Sequence, residues 1–287
     1  MTLSLRHVRQ ESLTYALVES TYKMHASHRN LIIAAIGDDS QHLSWITGCE
    51  ARSFDLALVY YGDRPNAFRG EADYYFAQSG FKFPLLADAL EQLGDRLDQY
   101  DYIWAPDDDI AASTQHLNRL FKIASNFQLP ISQPAIAAGD VSYQVLRQRP
   151  QVLLRYTGFV EVMCPVFSRD ALRIVQPTFR ESLSGWGLDW AWTCLVDKRR
   201  MAVIDAVGVN HTRSLGAGEA YRRFAERGIT PADECRTLMH EYGLRGPRTH
   251  VRRRQLKYGT LRCNAIDLAG RPIVVGPPWW KRFGRAA

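Results

Sequence analysis

The chain has 287 residues, 46% of them hydrophobic, enough to bury a sizeable α/β core without cross-links. Its five cysteines, Cys49, Cys164, Cys194, Cys235 and Cys263, are odd in number and show no CxxC spacing, which argues against a disulfide framework and a structural zinc site and fits free thiols in a reducing cytoplasm. Of the net charge of +6, residues 245–287 carry +10, from eleven Lys/Arg against Asp267 alone, which leaves −4 for the rest and excludes a uniformly basic, nucleic-acid-coating chain.

At the N-terminus, Arg6, His7, Arg9 and Glu11 break up what would otherwise be an apolar stretch, so no signal peptide is expected, and no apolar run anywhere is long enough to span a membrane. Residues 1–29 read as an extension. Leu31–Ile36 and Phe54–Tyr61 read as buried strands, each followed by Gly-Asp. Continuous apolar runs of this kind suit a sheet covered on both faces. Pro84 opens a helix with Leu85, Leu86, Ala89, Leu90, Leu93 and Leu97 at helical spacing. "YDYIWAP" makes a third strand and ends in Asp107, Asp108 and Asp109. Ser113 or Thr114 then caps a helix with Leu117, Leu120, Phe121 and Ala124 on one face.

This alternation predicts right-handed crossovers and a mixed, mainly parallel sheet flanked by helices. Further on come a strand over Phe159–Phe167, a helix from about Ser168, a glycine-rich turn leading into a helix with Asp189, and a last strand ending near His211. Residues 30–215 form the expected catalytic domain, and 216–287 a basic extension.

In such sheets ligands sit at the carboxyl ends of the strands. Asp38, Asp63 and the Asp107–Asp109 cluster all fall there. Adjacent carboxylates are costly without a cation, and Mg2+ or Mn2+ typically bridges carboxylates to a substrate phosphate. A strand-to-turn bend lets Asp107 and Asp109 converge while Asp108 points elsewhere. The other reading of the cluster is a helix cap with two solvated neighbours.

"YDYIWAPDDDI" resembles the Asp-x-Asp motif of GT-A-fold glycosyltransferases, which use nucleotide-sugar donors. With "FVEVMCPVFSRDAL", "GWGLDWAW" and "VNHTRS", it is similar in motif order to the domain-of-unknown-function 707 family, over about residues 30–215. The resemblance implies a GT-A-like fold and a metal-dependent transfer of sugar from a nucleotide-diphosphate donor to a saccharide or lipid-linked acceptor. It implies Mn2+ or Mg2+ held by Asp107, Asp109 and His211. Asp107 and Asp108 would serve the donor side.

Asp189 occupies the place where inverting relatives carry a catalytic base, although Leu188-Asp189 stands here where many have Glu-Asp. Inversion is therefore expected, with Asp189 taking the acceptor proton; its other reading is a helix N-terminal charge. Glu161, an acid in an apolar run, is either a second base candidate on the acceptor side or a buried partner of an Arg such as Arg155 or Arg169. Trp186, flanked by Gly185 and Gly187, is placed to stack on a sugar, whereas Trp190 and Trp192 read as core. Lys82 is positioned to neutralise donor phosphate, and Asp38 and Asp63 to contact base or ribose.

The basic tail, with Trp279 and Trp280 beside Lys281 and Arg282, suits peripheral contact with the inner face of a membrane, in a cytoplasmic enzyme of envelope polysaccharide or glycolipid synthesis. No nucleic-acid reading motif is present, so no nucleic acid is expected. Two alternatives fit less of the chain. A nucleotidyltransferase would carry a glycine- and arginine-rich phosphate loop where "AAIGDDSQ" is acidic. A non-catalytic glycan- or nucleic-acid-binding protein would use its aspartates structurally.

Overall fold

The computed structural model describes residues 26–217 and 219–277. In chain order the elements are β1 (Asn30–Ile36), α1 (Leu43–Ile46), β2 (Asp55–Tyr60), β3 (Tyr74–Ala77), α2 (Lys82–Leu93), β4 (Tyr102–Trp104), β5 (Ile110–Ala111), α3 (Thr114–Asn126), β6 (Ile131–Ala138), β7 (Val152–Tyr156), β8 (Val166–Ser168), α4 (Arg169–Val175), α5 (Leu188–Leu195), β9 (Ala202–His211), α6 (Glu219–Glu226), α7 (Pro231–Glu241), α8 (Pro247–Tyr258), β10 (Cys263–Asp267) and β11 (Pro272–Val275).

The strands form one mixed sheet in the order β11-β10-β7-β9-β6-β8-β4-β1-β2-β3, with β5 paired to β9. Pairing is parallel among β4, β1, β2 and β3 and between β6 and β9. It is antiparallel where β8 joins β4 and β6, and where β7 and β10 extend the sheet. The expected mixed α/β sheet flanked by helices is thus observed, but it is not mainly parallel. Among the described strands six pairings are antiparallel and four parallel, because β5, β7, β8, β10 and β11 all join antiparallel.

Strand β1 divides its side chains between two cores. Ile32, Ala34 and Ile36 pack with Trp45, Trp104, Leu117 and Phe121 on one face. Leu31, Ile33 and Ala35 pack with Phe83, Leu86, Leu90 and Trp192 on the other. Helix α3 therefore covers the first face and α2 the second. The Ser113 hydroxyl caps α3 by accepting from the His116 N–H, while Thr114 donates to the Trp45 carbonyl.

The expected strand over Phe159–Phe167 is largely absent. Only Val166 onward pairs, and the regular strand lies earlier, at Val152–Tyr156. The carbonyls of Val162 and Met163 instead accept from Lys82, and Met163 also accepts from the Asp107 N–H. This segment is a wall of the cleft rather than a ladder. Strand β6 escaped sequence reading because Pro134 interrupts it, and the β6–β9 register shifts at that proline.

Beyond residue 215 the chain remains part of the same body. Helix α7 packs on α5, and β10 adds to β7. Trp279, Trp280, Lys281 and Arg282 lie outside the described residues, as does most of the 1–29 segment. Among the described residues no helix is long and apolar enough to cross a membrane.

Candidate active site

The carboxyl ends of β1, β2 and β4 open into a cleft of about 650 Å3. Asp38, Asp63, Lys82, Asp107, Asp108, Asp109 and Trp186 all line it. The sheet explains their meeting: β1 lies between β2 and β4 in parallel register, so the loops leaving all three emerge on one edge.

The three adjacent aspartates face different partners. Asp108 is a brace: its carboxylate accepts from the Gly37 N–H at 2.8 Å, the Tyr61 hydroxyl at 2.9 Å and the Arg213 guanidinium at 2.6 Å. Asp107 accepts from Lys82 Nζ at 2.7 Å, and that ammonium also donates to the Val162 carbonyl at 2.7 Å. Burial pushes the Asp107 carboxyl up to about 6, against the opposing pull of Lys82 and with a further push from Asp109.

Asp109 Oδ2 lies 3.3 Å from His211 Nε2, and Asp109 Oδ1 is buried without a hydrogen-bond partner among the described residues. His211 Nδ1 lies 3.0 Å from the Asp140 carbonyl oxygen, which only accepts, so Nδ1 carries a proton, and in the charged imidazole Nε2 donates a second one towards the Asp109 carboxylate. Burial opposes the charge on this imidazole, yet the hydrogen bond and charge of Asp109 raise it to about 9. Short strand β5, paired to β9, sets the approach, with Ile110 opposite His211. Gly139, at φ +87°, also matters, because a Cβ there would collide with the His211 carbonyl.

Among the described residues no three His, Cys, Asp or Glu side chains form a complete cation cage. Asp109 and His211 supply an incomplete donor set with one orphaned oxygen. A carboxylate oxygen and an imidazole nitrogen are donors that a divalent cation such as Mn2+ accepts, so this pair could contribute to a cation site.

Glu161 and Asp189 do not line the cleft; both are buried. Burial pushes Glu161 up to about 7 and Asp189 to about 8, the latter with a further push from Glu161. Glu161 in turn feels the charges of Asp107, His211 and Lys82, so a line of interacting groups runs from the aspartate cluster to Asp189. Neither arginine considered for Glu161 is its partner: Arg155 pairs with Asp205, and Arg169 with Asp101 and the Asp98 carbonyl. Glu161 Oε2 has no hydrogen-bond partner among the described residues.

Gly187, at φ +99°, turns the chain into α5 and presses on Cys235 and Leu238 rather than on the cleft. Trp186 is 38% exposed on the cleft wall. Asp38 accepts from the Tyr60 hydroxyl at 2.5 Å and Arg64 at 2.8 Å, which together hold its carboxyl below the usual range. Sequence reading missed Arg213, Tyr61 and the α6 residues Tyr221, Arg223 and Phe224. Phe224 stacks on Phe81 at 4.8 Å, and Arg223 lies over the Phe81 ring. Arg213 stood within the quoted "VNHTRS", and a cation just past a strand-end histidine was the available signal.

Residues 153–257 match a family model described as "Protein of unknown function (DUF707)", the family that the motif order resembles. No curated protein matches the sequence. Among solved structures, S. aureus TarS 1–349 in complex with UDP-GlcNAc is similar over 80% of this chain and 71% of that one, at 10% identity and TM-score 0.49. The same protein with UDP is similar over 63% of this chain and 59% of that one, at 9% identity and TM-score 0.44. A TarS structure without a named ligand matches 72% of this chain and 41% of that one, at 10% identity and TM-score 0.44.

Proposed function

We propose that the cleft binds a nucleotide-diphosphate sugar and that the protein is a glycosyltransferase acting on a saccharide or lipid-linked acceptor. The observation that carries this reading is the division of labour among three adjacent aspartates. Asp108 is consumed by the fold, Asp107 is bound to a lysine, and Asp109 faces His211 with one oxygen free.

Asp109 and His211 would hold Mn2+ or Mg2+, with Asp107 joining once phosphate draws Lys82 away. Such a cation offsets charge on the diphosphate. Lys82 and Arg213 lie beside the same carboxylates and would meet the remaining phosphate oxygens. Asp38 and Asp63, on the cleft lining, would contact base or ribose, and Trp186 would offer a face for the sugar ring.

In the transfer, an acceptor hydroxyl oxygen bonds to the anomeric carbon as the bond to the diphosphate breaks, and the nucleoside diphosphate departs with the electron pair. The resemblance gives the hydroxyl proton to Asp189, with inversion as the consequence; Asp189 is buried behind the cleft lining, so this role requires that acceptor binding expose it. A carboxylate lifted to about 8 is a competent base near neutral pH once ionised. Action on envelope polysaccharide or glycolipid at the inner membrane face accords with the basic C-terminal segment.

The deciding experiment is thermal denaturation with a panel of nucleoside diphosphates and nucleotide sugars, with and without Mn2+, followed by donor hydrolysis. A cation-dependent stabilisation by one donor is expected. If no nucleotide stabilises the protein under either condition, the donor-site reading is wrong.

A further inference from the structure

A second cavity, of about 490 Å3, opens between α5, the turn at 198–200, α8 and the start of β10. It shares no lining residue with the cleft. Lys198, Arg199, Arg248, Arg252 and Arg262 line it, and no Asp or Glu does. Arg199 is held by Asp197 at 2.9 Å, whereas Lys198, Arg248 and Arg262 have no ion pair among the described residues.

Arg252 belongs to the wall. It donates to the Thr157 carbonyl and is only partly exposed. Gly158, at φ +60°, leaves room for that guanidinium, since a Cβ there would stand 2.7 Å from it. Buried Trp190 closes the floor, with Thr193 beside it. Arg252 is partly buried and the other four cations are exposed, but cations gathered in one concavity still repel one another unless an anion joins them. Guanidinium forks match phosphate oxygens, and three cations without ion pairs call for more charge than one carboxylate carries.

We propose that this cavity is a second anion site, specific for a phosphate or diphosphate group and independent of the donor-site reading of the cleft. Its ligand is either a soluble phosphorylated molecule or a phosphorylated lipid headgroup. The cavity is open to solvent, and its volume of about 490 Å3 suits one such group rather than a polymer backbone.

The test uses the full chain in EDTA, which withholds the divalent cation expected at the cleft. Calorimetric titration with inorganic pyrophosphate forms one arm. Sedimentation with phosphatidylcholine vesicles, with and without phosphatidic acid, forms the other. Arg248→Ser and Arg262→Ser alter exposed side chains, so the fold should survive, and each should weaken binding roughly tenfold. Asp109→Asn should leave it unchanged. Binding of pyrophosphate alone assigns a soluble ligand; binding to phosphatidic acid vesicles assigns a headgroup. The proposal is overturned if neither arm shows binding, or if binding survives the double replacement. It is equally overturned if Arg245→Ser with Arg254→Ser, exposed arginines outside the cavity, weakens binding as much.

Discussion

The Asp109 carboxylate and the His211 imidazole lie 3.3 Å apart, joined by the pairing of β5 with β9. The imidazole is fixed from behind by the Asp140 carbonyl, so its second nitrogen has one direction open. Carboxylate and imidazole can hold a proton between them or share a cation, and the two uses exclude each other.

Asp109→Asn and His211→Ala are therefore each expected to weaken Mn2+-dependent nucleotide binding by roughly tenfold to a hundredfold, while cation-independent binding changes little. Calorimetry with and without EDTA measures this. Equal loss under both conditions would assign the pair a purely structural role.

The same pair sets a pH dependence. The folded imidazole titrates at about 9, above its unfolded value, so its charged form stabilises the fold fully below about pH 6.5. That contribution disappears as pH rises through 9. A cation must displace the proton, so nucleotide affinity in Mn2+ should rise with pH across this interval and flatten in His211→Gln. Competition titrations at a series of pH values check the slope.

Asp189→Asn should lower kcat by roughly 10²- to 10⁴-fold and leave the donor Kd unchanged. Glu161→Gln acts on the same proton indirectly, by removing a charge that raises Asp189, and should shift the acidic limb of the pH–rate profile downward. Normal turnover in Asp189→Asn would transfer the base role elsewhere.

The buried carboxyls also bear on stability. Asp107, Glu161 and Asp189 take up protons at about 6, 7 and 8 in the fold, all above their unfolded values near 4. The folded state then binds more protons, so their contribution is fully present below about pH 4 and is lost as pH rises through 8. Urea midpoints should fall across that window, less steeply in Glu161→Gln/Asp189→Asn.

Away from the cleft, Arg155 and Asp205 form a fully buried pair, at 2.7 Å, with Arg155 1% exposed. Asp205 also accepts from the Arg149 N–H, and Arg155 donates to the Val145 carbonyl. Asp205→Ala leaves a guanidinium buried without its counter-charge and should cost about 3–5 kcal/mol by urea denaturation.

Much of this arrangement was legible in the chain itself. The apolar runs ending in Gly-Asp located β1 and β2, because a strand buried on both faces needs an unbroken apolar sequence. The same reading located the Asp107–Asp109 turn and, through helical spacing, α2 and α3. The strand expected over Phe159–Phe167 was not realised, since an apolar run of that length also suits a cleft wall whose carbonyls serve Lys82 and Asp107.

Which residues stand at strand ends, and that three carboxylates there require counter-charge, follows from the order of residues along the chain. How they are satisfied emerges on folding: Asp108 by Gly37, Tyr61 and Arg213, Asp107 by Lys82, and Asp109 by His211. Local pattern reports burial and period, both properties of neighbouring residues. Which charge answers which depends on strand order, and that order is settled by packing among segments far apart in the chain.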